Sequence, residues 1–214
     1  MCKEMNYVAL FDFDGVVMDT ESQYTHFWHQ MGVEQGIDQL DARVKRQTLR
    51  YIFDTFFQGQ TEKQRHITEA LDRFETEREF LFVPGVVDFI EELHRKGVAT
   101  AVVTSSNAKK MEAVYRKHPQ VKGMFDRILT AEMFRASKPD PHCYLLGMEL
   151  LGGTPDTTFV FEDSINGLKA GMASGAHVIG LTTTFGREQV APLCHRVIDD
   201  FTAFTAEDML AVGR

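Results

Sequence analysis

The stretch "YVALFDFDGVVMDT", residues 7–20, decides how the rest of the chain is read. Residues 7–12 have the length and the apolar character of a short buried strand, ended by polar and glycine residues. That strand runs into Asp12, Phe13, Asp14 and Gly15. Two carboxylates one residue apart at the edge of a core repel each other and resist desolvation. A strand that ends in them needs partners, and these must come from elsewhere in the chain.

Beyond this strand the pattern changes twice. From about Glu21 to Phe82 the apolar spacing is helical. "LRYIFDTFF" puts Leu49, Ile52, Phe53, Phe56 and Phe57 on one stripe, and "ITEALDRF" does the same with Ile67, Leu71 and Phe74. No strand is expected in this block. "VPGVVDFIEELHRKG" then opens near Pro84 and closes on Gly97, a helix start and a C-cap. After it strands and helices alternate: strands at 98–105, 125–131, 157–163, 176–181 and 195–200, with helices in "NAKKMEAVYRKH", "PHCYLLGMELLG" and "INGLKAGMASG". Alternation of this kind means βαβ units and a mainly parallel sheet. The expected fold is therefore α/β: a doubly wound, Rossmann-like core (residues 1–20 and 84–214) with an inserted α-helical cap (21–83).

Bulk properties narrow the function. The 214 residues are 43% hydrophobic and 25% charged, enough for one large domain or one domain with an insert. A formal net charge of −8 argues against nucleic acid as a partner, since binding its backbone requires basic surface. Cys2, Cys143 and Cys194 are scattered and odd in number, with no CxxC pair, which suits a reducing compartment. The start has no long apolar leader and no 18-residue apolar run occurs. A soluble, cytoplasmic protein without a membrane partner is expected, with a monomer as its expected state.

In open α/β sheets ligands sit beyond the carboxyl ends of the strands. There the chain places Asp12 and Asp14, then Thr104-Ser105-Ser106-Asn107, then Lys138 in "ASKPDP", then Glu162-Asp163-Ser164. Each set alone has an ordinary explanation as a turn, a helix cap or a solvated lysine. All of them at one sheet edge are better explained by phosphoryl transfer through an aspartyl-phosphate. A carboxylate approaches a phosphate dianion only if charge is neutralised, so a hard cation such as Mg²⁺ is expected. Asp12, Glu162 and Asp163 can supply its oxygen ligands, with the backbone carbonyl of Asp14 as another. Lys138 would act as a point charge on the nucleophile and the phosphoryl oxygens. Ser105 and the N–H groups at the following helix start would bind the remaining oxygens.

These residues resemble a known family. "DFDGVVMDTE", "VVTSSN", "SKPDP" and "FEDSINGLKAG" are similar to the four ordered motifs of the haloacid dehalogenase (HAD) superfamily. The resemblance runs from Tyr7 to about Leu181 and is closest to the subfamily with a helical cap after the first motif, which includes phosphoglycolate phosphatase and β-phosphoglucomutase. It implies Asp12 as nucleophile, Asp14 as general acid/base, Ser105 ahead of Thr104 as the second-motif hydroxyl, and Lys138 as the third-motif lysine. Glu162 and Asp163 become metal ligands, and Gly15, Ser106 and Asn107 join the substrate-binding set. An acid at position 14 marks the phosphate-handling members rather than the dehalogenases. In the cap, "VKRQTLR" (44–50) stands where the mutase carries a Gly-x-Ser-Arg element, with Arg46 for the glycine and Leu49 for the arginine. Lys45 is retained as a candidate substrate contact, and Arg46 or Arg50 could substitute for the missing arginine. The expected function is a Mg²⁺-dependent phosphohydrolase of small phosphorylated metabolites. A β-phosphoglucomutase-type mutase is the alternative, and a non-catalytic phospho-accepting or binding module the remote one.

Overall fold

A computed structural model of the protein describes residues 6–213 except 46, 48, 78 and 80; Cys2 and Arg46 therefore lie outside the described residues. The chain forms two compact units, Met1–Asp19 with Phe80–Arg214, and Thr20–Glu79.

The first unit is an α/β layer structure. Its six strands are β1 (Val8–Phe11), β4 (Ala99–Val103), β5 (Arg127–Leu129), β6 (Thr158–Glu162), β7 (His177–Leu181) and β8 (Arg196–Ile198). They pair in the order β5-β4-β1-β6-β7-β8, every pair parallel. The strand order runs outward from β1 to β5, then returns to β6 on the other side of β1. That reversal is a topological switch point, where doubly wound sheets open a crevice at the carboxyl edge. The helices between the strands are α5 (Val86–Arg95), α6 (Ala108–Lys117), α7 (His142–Leu151), α8 (Ile165–Ala173) and α9 (Arg187–Val190), with α10 (Ala206–Val212) at the end.

The apolar run of β1 is continuous because the strand is covered on both faces. Ala9 and Phe11 belong to one core cluster, Val8 and Leu10 to the other, and all four are fully buried. Phe11 stacks on Phe161 of β6 at 4.6 Å between centroids and 6° between planes, with Phe89, Phe201 and Phe204 packed around the pair. Phe13 continues this alternation into the same cluster and is fully buried. Asp12 and Asp14 are thereby turned to the other side of the chain.

One small element was not expected. β2 (Met18–Asp19) and β3 (Leu81–Phe82) form a two-stranded antiparallel ribbon, Met18 opposite Phe82 and Asp19 opposite Leu81. The expected absence of strand up to Phe82 is corrected at this point. Two residues are too few to show a period of two, so only the pairing reveals the strand.

The second unit is helical throughout its described residues: α1 (Glu21–Gln35), α2 (Leu40–Val44), α3 (Leu49–Phe56) and α4 (Thr61–Glu77). Its own core contains Phe27, Trp28, Leu40, Ile52, Phe57 and Ile67, with Leu49, Phe53, Phe56, Leu71 and Phe74 half-buried against them. The apolar stripes on α3 and α4 thus face that core. No helix among the described residues is long and apolar enough to cross a membrane.

Candidate active site

The carboxyl ends of β1 and β6 lie side by side, since Phe11 pairs with Phe161 and the Asp12 N–H donates to the Phe161 carbonyl at 3.0 Å. This register sets Asp12 beside Glu162 and Asp163. The three side chains each offer an oxygen within 4.8 Å of the others, and all three residues are at least nine-tenths buried.

Lys138 joins them from the loop before α7. Its Nζ donates to Asp12 Oδ1 at 2.6 Å, to Glu162 Oε1 at 2.7 Å and to the Val103 carbonyl at 3.1 Å. Tyr144 of α7 is fully buried beneath the pair: its hydroxyl donates to Glu162 Oε1 at 2.8 Å, and Lys138 Nζ lies 5.0 Å from its ring centroid. The other Glu162 oxygen accepts from the N–H groups of Asp163 and Ser164 and from the Ser164 hydroxyl, each at 3.0 Å.

The two carboxylates sharing Lys138 differ in their donors. Burial would raise Glu162, but Lys138, the Ser164 N–H and Tyr144 hold its carboxyl below the usual range. Asp12 has Lys138 as its one side-chain donor among the described residues, so burial dominates, Glu162 adds to it, and its pKa rises to about 7. Burial would depress Lys138, yet the charges of Asp12 and Glu162 outweigh that and keep it firmly protonated.

Gly15 completes the β1 turn with a left-handed φ of +84°. A Cβ there would sit 2.0 Å from Asp163 Oδ2, so only glycine lets this backbone pass the carboxylate. The Asp163 oxygen also accepts from Thr184, and Thr183 donates to the Gly15 carbonyl at 2.6 Å.

Around Asp14 a second group forms. Asp14 Oδ2 accepts from the Ser106 hydroxyl at 3.0 Å and from Lys110 Nζ at 2.6 Å. Asn107 caps α6 by accepting the Lys110 N–H at 2.9 Å. Of the two candidate hydroxyls, Thr104 is fully buried and accepts from the Ser106 N–H at 3.0 Å. Ser105 is exposed and lines a small concavity with Arg135 and Ser137. Lys45 belongs to the helical unit, where it is exposed at the edge of a cavity of about 300 Å³ that also touches Tyr24, Trp28 and Asp41.

Asp12, Lys138, Glu162 and Asp163 are thus gathered into one cluster, while Asp14, Ser106 and Asn107 form the group around α6. Four residues of the site were not singled out in the sequence. Thr183 and Thr184 follow β7 in "LTTT", where the sheet-edge rule applied to one more strand would have found them. Lys110 stands three residues after the α6 cap, a position that reaches back over the helix start. Tyr144 lies in an apolar helix pattern and gave no polar signal.

Four carboxylates (Asp12, Asp14, Glu162, Asp163) face two ammonium groups (Lys110, Lys138), which leaves a formal surplus of two negative charges. An all-oxygen donor set of that charge suits a hard dication, so the residues present fit Mg²⁺.

A doubly wound sheet with a lysine-bridged acidic cluster at its switch point defines an α/β protein with its ligand site at the carboxyl edge of the sheet. The chain matches the haloacid dehalogenase-like hydrolase family over residues 9–181, and it belongs to that family. Protein CbbY of Cereibacter sphaeroides is 28% identical over 210 residues, covering 90% of this chain and 91% of the relative. Hexitol phosphatase A of Escherichia coli (strain K12) is 28% identical over 180 residues, covering 80% of this chain and 81% of the relative. The fold is shared with a family IA, variant 3 HAD hydrolase from Entamoeba histolytica, with a TM-score of 0.74 at 20% identity, covering 97% of this chain and 99% of the other.

Proposed function

We propose that the protein is a Mg²⁺-dependent phosphohydrolase of small phosphate monoesters, sugar phosphates foremost, working through an aspartyl-phosphate on Asp12. The observation that carries this reading is the contact of Asp12 with Lys138 at 2.6 Å inside a cluster of buried carboxylates. The similarity to a hexitol phosphatase supports the substrate class.

In the first half-reaction an Asp12 oxygen attacks phosphorus while Asp14 gives a proton to the leaving oxygen. In the second, Asp14 takes a proton from water as that water attacks the phospho-aspartate. Lys138 neutralises Asp12 and the transferring phosphoryl oxygens, and Glu162, saturated by five donors, holds that lysine in place. Mg²⁺ held by Asp12, Asp163 and the Asp14 carbonyl, with Glu162 alongside, would screen the attacking carboxylate from the phosphate dianion. Ser105, Asn107 and the remaining N–H groups at the α6 start bind phosphate oxygens in this reading, with Ser106 turned to Asp14 and Gly15 keeping the approach open. The helical unit acts as a cap that selects the substrate, with Lys45 as its candidate cation. Action as a cytoplasmic monomer belongs to the same reading.

The test is a phosphate-release screen over phosphorylated sugars, nucleotides and phosphoglycolate. Release that requires Mg²⁺ and disappears in Asp12→Asn is expected. Undiminished turnover by that variant would remove Asp12 as nucleophile. Conversion of β-glucose 1-phosphate to glucose 6-phosphate in a coupled assay would favour the mutase alternative instead.

A further inference from the structure

The two oxygens of Asp14 are in different circumstances. Oδ2 accepts from the Ser106 hydroxyl and from Lys110 Nζ. Oδ1 is buried and has no hydrogen-bond partner among the described residues. A carboxylate oxygen offers about two lone pairs, so the two donors fill Oδ2. A proton carried by this group has Oδ1 as its place.

The donors themselves are held by the start of α6. Asn107 accepts the Lys110 N–H, and Thr104 accepts the Ser106 N–H, so cap and turn fix the backbone of both donors. The side chains of Lys110 and Asp14 are 37% and 24% exposed, so this ammonium–carboxylate contact is less screened than one on open surface. Lys110 lies outside all four matched motifs, and the reaction outlined above gives it no part.

We propose that Lys110 is a positioning residue for proton transfer: with Ser106 it pins Oδ2 of Asp14, so that Oδ1 alone exchanges protons with the reacting oxygens. The proposal rests on the phosphohydrolase reading. As the Asp12–phosphorus bond forms and the bond to the leaving oxygen breaks, the proton on Oδ1 passes to that oxygen. The carboxylate left behind is matched by the Lys110 ammonium. Water then attacks phosphorus, the Asp12–phosphorus bond breaks, and the proton of the water moves to Oδ1 as inorganic phosphate leaves. Lys110 keeps its own proton throughout.

Leaving-group dependence isolates this role. An alkyl oxygen departing from a sugar phosphate needs its proton, whereas para-nitrophenolate leaves readily without one, and kcat/KM covers the steps up to the phosphoenzyme. Lys110→Met is expected to lose at least about tenfold more kcat/KM on a sugar phosphate than on para-nitrophenyl phosphate. Lys110→Arg is expected to recover most of that difference. A residue that merely supported the fold would lower both esters alike. Equal losses, no loss on the sugar phosphate, or a rise in KM alone for both esters would overturn the proposal, the last assigning Lys110 to phosphate binding. Failure of the wild-type protein to release phosphate from any ester, or retained turnover by Asp12→Asn, would instead remove the phosphohydrolase reading and the proposal with it.

Discussion

At the scale of single residues, the chemistry turns on how unequally one lysine serves two acids. Glu162 is bonded at both oxygens and stays ionised, so its contribution is a fixed negative charge under Lys138. Asp12 is buried with a single side-chain donor among the described residues and its pKa is raised to about 7. Below that pH a cation must displace a proton from Asp12; above it the carboxylate is already free. Mg²⁺ affinity is therefore expected to fall as pH drops from about 7 toward 5, by up to about tenfold per unit, and to level off above 7. Calorimetric titration of Mg²⁺ into the wild-type protein at several pH values measures this. A flat profile would mean that Asp12 is already ionised at pH 5 and that burial does not hold its proton.

Among the elements, the start of α8 carries the tightest constraint. Gly167 sits one turn into the helix, where its N–H donates to the Ser164 cap, and a Cβ on it would lie 1.7 Å from Glu162 Oε1. Alanine at this position gains up to about 1 kcal/mol in helix propensity, but forcing Glu162 aside costs about 1–3 kcal/mol of overpacking. Overpacking wins, so Gly167→Ala is expected to be destabilised by about 1 kcal/mol or more in urea unfolding. It is expected to lose activity by about 100-fold as well, because displacing Glu162 moves Lys138 by about 1 Å from the nucleophile. Full activity in that variant would show that Glu162 does not position the lysine.

For the molecule as a whole, the α/β unit depends on the phenylalanine cluster that covers one face of its sheet. Phe161 lies at its centre, stacked on Phe11 and touching Phe89, Phe201 and Phe204, directly before Glu162 at the end of β6 and Asp163 after it. Phe161→Ala is expected to cost about 3–5 kcal/mol of unfolding free energy, read as a lower urea midpoint by far-UV circular dichroism. A loss under about 1 kcal/mol would mean that the cluster collapses into the cavity and does not set the sheet.

Much of this arrangement was legible in the chain itself. The continuous apolar run of β1, the alternation of strands and helices after Pro84, and the helical spacing between them are local patterns, and local patterns report periodicity directly. Acids, lysine and hydroxyls at strand ends were equally readable, because the doubly wound topology brings all those ends to one edge. Side-chain partners were not readable, since they depend on register and loop path between residues far apart. Only the folded chain shows Glu162 saturated and Asp12 poorly satisfied, Tyr144 under the lysine, and Thr184 on Asp163. It alone separates buried Thr104 from exposed Ser105, and joins Lys110 to Asp14 across 96 positions. Periodicity determined the strands, and therefore which residues reach the edge; packing in three dimensions decided which of them share a proton or a charge there.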